Sequence, residues 1–243
     1  MNRSFLAKRI FDLAVATCGF VCLAFPFLVI VAFVILSSPG PVFYTQRRVG
    51  RGGRPFTCVK FRTMYVDAER HGSVTTSDDH RVTPLGRVLR RFKLDEFPQL
   101  WNVIIGHMSF VGPRPDVPGY ADKLRGEERR VLDLRPGITG PATIAFRNEE
   151  KILAVVPDAV TFNDTVIYPL KVKLNLMYLD QIRFWKDMGY IFDTIFPFLS
   201  QRWGLNRRLK IMAITDPKMA VDCLRRLQEK PKSSEIISGA TID

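Results

Sequence analysis

The sequence predicts a helix-rich α/β fold. An N-terminal re-entrant helix-break-helix enters a membrane, and a domain on the cytoplasmic face follows, built from a short β-hairpin and interfacial amphipathic helices. Three observations point there. An apolar, uncharged run near the start is flanked by cations, two strand-like stretches bracket a Gly-rich turn, and apolar residues then recur at helical spacing.

From Leu13 to Gln46 there is no charged residue, and 21 of the 24 residues from Leu13 to Leu36 are hydrophobic. At about 1.5 Å per residue such a run has the length to span a core of roughly 30 Å. Pro26 near its middle removes a backbone hydrogen bond and clashes with the preceding turn. Arg3, Lys8 and Arg9 precede the run, and Arg47, Arg48, Arg51 and Arg54 follow it. A single span puts one cluster on the wrong side of the positive-inside rule. A helix that breaks at Pro26 and returns keeps both clusters cytoplasmic, each arm of about 13 residues being too short to cross. The run is too long for a signal peptide and lacks a small-residue cleavage site.

The 243 residues hold one sizeable domain besides this segment. A net charge of +12 calls for an anionic partner. Nucleic acid, anionic lipid and phosphorylated small molecules all qualify, and the apolar segment favours the last two. No zinc pattern or RNA-binding signature supports a nucleic-acid partner. Cys18, Cys22, Cys58 and Cys223 form no disulfide framework, which suits a reducing compartment. Cys18 and Cys22 lie one helical turn apart and serve as small hydrophobes.

Val42 to Gln46 and Phe56 to Phe61 read as strands of a hairpin joined through Val49-Gly50-Arg51-Gly52-Gly53-Arg54. His71 to His80 reads as a mobile loop. A helix begins at Thr83 as N-cap with Pro84 at its first position, carrying Leu85, Val88, Leu89 and Phe92 on one face. Leu94 to Ile105 continues the helical period, with a kink or a fresh start near Pro98. Gly112-Pro113-Arg114-Pro115 and Arg135 to Pro141 read as rigid turns, the second followed by an extended stretch. Val172 to Ile195 reads as one helix whose aromatics and basic residues suit a membrane interface or a core. Pro217 to Glu229 forms a last amphipathic helix capped by Asp216, and Lys232 to Asp243 a flexible tail. The expected division is 1–40 for the membrane hairpin, 41–212 for the main domain and 213–243 for the terminal helix and tail.

Three clusters carry chemistry: Lys60 with Arg62, Arg90 ahead of the adjacent acids Asp95-Glu96, and Pro113-Arg114-Pro115 with Arg147 further on. Arginines held by prolines make preorganised phosphate clamps, because the guanidinium fork is rigid and its backbone is fixed. One acid of an adjacent pair can attack a phosphate or bind a metal while its neighbour handles metal or proton, provided cations offset the charge. Taken alone, an Asp-Glu pair is more often solvated surface.

Six ordered motifs then resemble one family, the bacterial sugar transferases, also called monotopic phosphoglycosyl transferases. They are Lys8-Arg9-Ile10-Phe11-Asp12 opening the apolar hairpin, Lys60-Phe61-Arg62-Thr63-Met64, Asp79 to Gly86, Leu94-Asp95-Glu96-Phe97-Pro98-Gln99-Leu100-Trp101-Asn102-Val103, Met108 to Pro115, and Arg135 to Gly140. The resemblance runs from about residue 5 to residue 195. It implies that Asp95 attacks the β-phosphate of a UDP-sugar, releases UMP and holds the phosphosugar until undecaprenyl phosphate takes it. It further implies Mg²⁺ as cofactor with Asp95 as its ligand, Glu96 assisting at metal or proton, and Arg90, Arg114 and Arg147 holding phosphate or nucleotide. It places the catalytic domain on the cytoplasmic face of the bacterial inner membrane, in the family's minimal form, at the start of an exopolysaccharide or glycoconjugate. His107, in place of the usual Asp, and Pro141 to Ile144, in place of the usual Trp-Ala-Gln-Val, depart from the pattern and leave the sugar open. A homodimer is compatible with the sequence but nothing demands it. Two other readings stand beside this one: a non-catalytic basic membrane scaffold, and a conventional glycosyl transferase releasing UDP.

Overall fold

The computed structural model describes residues 3–66, 80–147, 149, 153 and 158–196. The chain divides into two units, Met1–Ile195 and Phe196–Asp243, and every helix and strand named below belongs to the first. The loop expected before His80, the helix expected over Pro217 to Glu229 and the tail lie outside the described residues.

Helices α1 (Arg3–Cys22) and α2 (Ala24–Ser37) open the chain, then strands β1 (Phe43–Val49) and β2 (Pro55–Phe61). Helix α3 (Pro84–Arg91), a 3₁₀ turn at Leu94–Glu96 and helix α4 (Gln99–Ile104) follow. After β3 (Ser109–Val111) come a 3₁₀ run at Gly126–Asp133, β4 (Gly137–Thr139) and α5 (Pro141–Ala145). Helix α6 (Ala159–Phe162) passes through a π-helical stretch, Asn163–Ile167, into α7 (Tyr168–Asp180), and α8 (Phe184–Ile195) closes the unit. The helix-rich expectation holds.

The first helices part at Leu23, not at Pro26, with a bend of 62°. Pro26 offers no N–H to the Cys22 carbonyl and crowds it, so the helix breaks one turn before the proline. Pro26 itself sits in the first turn of α2, where a missing N–H costs nothing. The arms are therefore unequal, 20 and 14 residues, rather than about 13 each. Among the described residues no single helix is long and apolar enough to cross a membrane. The bent pair Phe5–Cys22 and Ala24–Ser37 does pass on length and composition.

The first half of α1 is docked on the domain. Lys8 Nζ lies 2.6 Å from Asp187 Oδ2 on α8, and Tyr178 of α7 donates to the same carboxylate at 2.7 Å. Arg9 donates to the carbonyls of Val103 and Ile104 at 2.7 and 2.9 Å, where the last turn of α4 ends. Asp12 accepts from the Phe110 N–H. Further along, Ala16 is fully buried in a core of Phe56, Cys58, Val103 and Met108. Helix α2 buries Val34 against Phe61 and Leu89. Its other side leaves Phe25, Leu28, Phe33 and Leu36 bare, Leu36 at 81% exposure.

β1 and β2 pair antiparallel from Phe43↔Phe61 to Val49↔Pro55, so the hairpin is as expected but longer. Its turn needs left-handed backbone at Gly52 (φ 69°) and Gly53 (φ 78°), which glycine adopts without strain. Thr83 caps α3 by accepting from the Gly86 N–H at 2.9 Å, with Pro84 in the first turn, as the residues require.

Gly112 bends the chain as it leaves β3, which pairs in parallel with β4, and it sits so close to the Arg135 carbonyl that a side chain there would collide. Pro113-Arg114-Pro115 follows without regular secondary structure. Three expectations need correction. Residues 137–139, expected in a turn, are strand, and the stretch after Pro141, expected to be extended, lies in helix α5. Short parallel strands carry too little alternation to show in one sequence. Finally, Val172 to Ile195 is two helices broken at Gln181 to Arg183. The break lets α8 fold back so that Asp187 meets Tyr178 and Lys8, a demand of packing that helical periodicity does not reveal.

Candidate active site

The acids sit on the 3₁₀ turn between α3 and α4. Helix α3 ends at Phe92, and Lys93 adopts a left-handed conformation (φ 59°), the only non-glycine among the described residues to do so. Such a residue costs roughly 1–2 kcal/mol and here swings the chain so that Asp95 and Glu96 face β2. Pro98 then starts α4, which explains why the apolar period of Leu94 to Ile105 is not one helix.

Glu96 is the anchor of a cation cage. Its Oε1 lies 2.7 Å from Lys60 Nζ and 2.9 Å from Arg114 Nη2. Burial alone raises its pKa, but Arg114 and Lys60 outweigh that and hold it at about 2. In return Glu96 raises the Arg114 pKa. Asp95, 8% exposed, is different: its Oδ1 is buried and has no hydrogen-bond partner. Burial first, then the neighbouring Glu96 charge, pushes its pKa up. The paired carboxylates are thus split by their surroundings into a fixed, ionised Glu96 and a poorly stabilised Asp95, the arrangement that separates the duties of two acids.

Of the residues expected at the site, Lys60, Asp95, Glu96 and Arg114 come together. Arg90 is near enough to lower the Asp95 pKa and is steadied by a 2.8 Å bond from its Nε to Thr63 Oγ1. Arg62 is buried and points elsewhere, donating to the carbonyls of Ser38 and Pro39 at 2.6 and 2.8 Å where α2 ends. Pro113 is buried and its carbonyl accepts from the Gly137 N–H at 2.7 Å, holding the Arg114 segment on β4. Arg147 donates to the Asp193 carbonyl on α8 rather than to the cage. Pro26 lies in the first turn of α2.

Four residues close to the cage were not singled out in the sequence. Thr63 orients Arg90. Asn102, on α4, bonds to β2. Asp116 follows Pro115, accepts from Tyr168 Oη at 3.2 Å, and has its pKa raised by burial. Beside Tyr168 opens a cavity of about 440 Å³ lined also by Tyr120, Lys123 and Asp164. Asn102 alone had a legible signal: a short amide within Leu100-Trp101-Asn102-Val103-Ile104 must be buried and therefore partnered.

Among the described residues no three His, Cys, Asp or Glu side chains converge as a metal cage. The unpartnered Asp95 oxygen suits a different mode, in which an ion such as Mg²⁺ takes one or two carboxylates and fills its remaining positions with water and substrate phosphate.

A buried acid pair ringed by lysine and arginine, packed beside an apolar bent helix pair, has the charge complement to take a phosphorylated ligand. The chain belongs to the bacterial sugar transferase family, whose model matches residues 3–201. It is 44% identical over 122 residues, 49% of this chain and 68% of the relative, to a Bacillus subtilis protein provisionally named an undecaprenyl-phosphate N-acetylgalactosaminyl 1-phosphate transferase. It is 35% identical to the Rhizobium meliloti exopolysaccharide production protein ExoY over 206 residues, 78% of this chain and 84% of that one. It is 36% identical over 208 residues to the UDP-glucose:undecaprenyl-phosphate glucose-1-phosphate transferase of Xanthomonas campestris, covering 83% of this chain but 40% of that protein.

Proposed function

We propose that this chain is a phosphoglycosyl transferase that moves a sugar 1-phosphate from a UDP-sugar to undecaprenyl phosphate through a phosphosugar carried on Asp95. The observation that carries the reading is the buried, unpartnered Asp95 oxygen beside a Glu96 already bound by Lys60 and Arg114. A carboxylate without hydrogen bonds keeps its nucleophilic lone pairs, and the cations lower the cost of bringing it to a phosphate.

In the first step an Asp95 oxygen forms a bond to the β-phosphorus, and the bond from that phosphorus to the bridging oxygen breaks, releasing UMP. In the second, a phosphate oxygen of undecaprenyl phosphate attacks the same phosphorus and frees the Asp95 carboxylate. Lys60, Arg90 and Arg114 bind and orient the phosphates, and Glu96 keeps Lys60 and Arg114 in place. Asp95 would hold the Mg²⁺ ion, which when bound would supply neutralisation of the diphosphate charge. The cavity beside Tyr168 is the recess available to the rest of the donor.

The bent helix pair is read as a re-entrant anchor. The bare side of α2 (Phe25, Leu28, Phe33 and Leu36) faces lipid, while the docked half of α1 keeps the domain at the bilayer. Residues 1–40 form that anchor, 41–212 carry the chemistry on the cytoplasmic side of the inner membrane, and 213–243 follow as a terminal extension. In a background lacking Cys18, Cys22, Cys58 and Cys223, single cysteines introduced at Asn2 and at Arg51 should both react with an impermeant thiol reagent only from the cytoplasmic side. Labelling from opposite sides would mean that the helices cross.

Nucleotide release tests the reaction. Purified full-length protein in nanodiscs, with Mg²⁺, undecaprenyl phosphate and UDP-glucose, UDP-galactose or UDP-N-acetylgalactosamine in turn, is expected to release UMP with the donor it prefers. Release of UDP instead would replace this reading with a conventional glycosyl transferase.

A further inference from the structure

We infer that Asn102 is a positioning residue for this reaction: its side chain acts as a surrogate strand on the outer edge of β2 and so sets where Lys60 meets Glu96. The inference rests on the proposed roles of Lys60 and Asp95.

β2 has β1 on one edge only. On the other edge Asn102 offers both halves of its amide. Its Oδ1 accepts from the Val59 N–H at 3.2 Å, and its Nδ2 donates to the Thr57 carbonyl at 2.8 Å. That is the donor and acceptor pair an adjoining strand would present, supplied by one side chain that is 1% exposed. Its main-chain carbonyl also accepts from the Met108 N–H at 3.0 Å, so the same residue ties α4 to the segment entering β3.

The residue after Val59 is Lys60, whose ammonium lies 2.7 Å from Glu96. The contacts close a ring: Glu96, α4, Asn102, β2, Lys60 and back to Glu96. Two short rigid pieces, the helical segment from Glu96 to Asn102 and the strand from Val59 to Lys60, are joined at both ends. The backbone that carries Lys60 cannot shift relative to Asp95 and Glu96 without straining the amide pair. Asn102 makes no hydrogen bond to either acid, so its effect passes through the strand. Val59 and Thr57 would otherwise leave a strand-edge N–H and carbonyl beside the core formed by Cys58, Val103 and Met108.

The test is a double-mutant cycle on the full-length protein in nanodiscs, with folded fraction checked by thermal melting. Asn102→Ala should lower kcat by about 10- to 100-fold, the scale of a small misplacement of a phosphate-binding group, with KM for the UDP-sugar within about threefold. In a Lys60→Ala background the same change should cost less than about threefold more, because the group it positions is gone. Should Asn102→Ala fail to fold, Asn102→Ser, which keeps one hydrogen bond, carries the cycle. Losses that multiply, or that follow the folded fraction, would make Asn102 a structural residue only and overturn the inference while leaving the reaction intact. Wild-type turnover by both Lys60→Ala and Asp95→Asn would overturn the functional reading and this inference together.

Discussion

Asp95→Asn is expected to cut turnover by about 10⁴-fold or more, the scale seen when an enzyme loses its nucleophile or the group that acts with it. Stability should stay within about 1 kcal/mol of wild type or rise slightly. The sign comes from the site. The folded-state pKa of Asp95 is raised, first by burial and then by Glu96, so the ionised form costs the folded state free energy at neutral pH. That cost disappears as pH falls through the raised value, and it is absent at every pH in the amide. Asn has the same shape and brings no charge into a place where one oxygen already lacks a partner. Mass spectrometry supplies the second readout: incubation with donor but no lipid acceptor should leave a phosphosugar adduct on the peptide bearing Asp95, and none on the variant. Normal turnover by Asp95→Asn, or an adduct elsewhere, would sink the nucleophile assignment.

Glu96→Ala should act on both activity and stability. Lys60 and Arg114 would lose the carboxylate that places them, and kcat should fall by about 10²- to 10³-fold, as when preorganised charge is removed from a site. Stripping one partner from a buried ion pair costs about 3–5 kcal/mol, and the half-exposed Arg114 reduces that here to about 2–3. The pH dependence is the sharper check. The Glu96 pKa is depressed from 4.5 to about 2, so its contribution is present above 4.5 and is lost as pH falls from there through about 2. The difference in unfolding free energy between wild type and Glu96→Gln should therefore be largest near neutral pH and shrink steadily through that acid window. Asp95 works in the opposite sense, since its protonation favours the folded state, and Asp95→Asn should lose stability in acid more steeply than wild type does. A Glu96→Gln protein whose stability tracks wild type at every pH would show that the cage contributes nothing.

Much of the architecture was written in local chemistry. Thr83-Pro84 announces a helix start because the side-chain oxygen and the missing N–H each suit one position only. The hairpin arises from strand formers around Gly52 and Gly53, and the bent helices from an uncharged run interrupted by Pro26. The acids were legible as Asp95-Glu96 and the cations as Lys60 and Arg114, because ordered motifs carried them. The sequence by itself thus determined which side chains are available, that a helix must break near residue 26, and which family the chain resembles.

Which of those side chains meet is a different matter. Arg62 shares a motif with Lys60 yet turns to the carbonyls ending α2, because it lies beyond the end of β2 where that segment meets Ser38 and Pro39. Arg147, expected near phosphate, bonds to the Asp193 carbonyl. The unequal duties of Asp95 and Glu96 are invisible in two adjacent letters. They arise because Lys60, 36 residues away in sequence, and Arg114, 18 away on the other side, both reach Glu96 and leave Asp95 Oδ1 bare. The β3–β4 pair, the break before α8 and the Asn102 clamp likewise depend on partners distant along the chain. Local sequence sets propensities over a few residues, whereas burial, pairing and charge placement are decided when segments far apart pack together, and the tertiary structure alone records that choice.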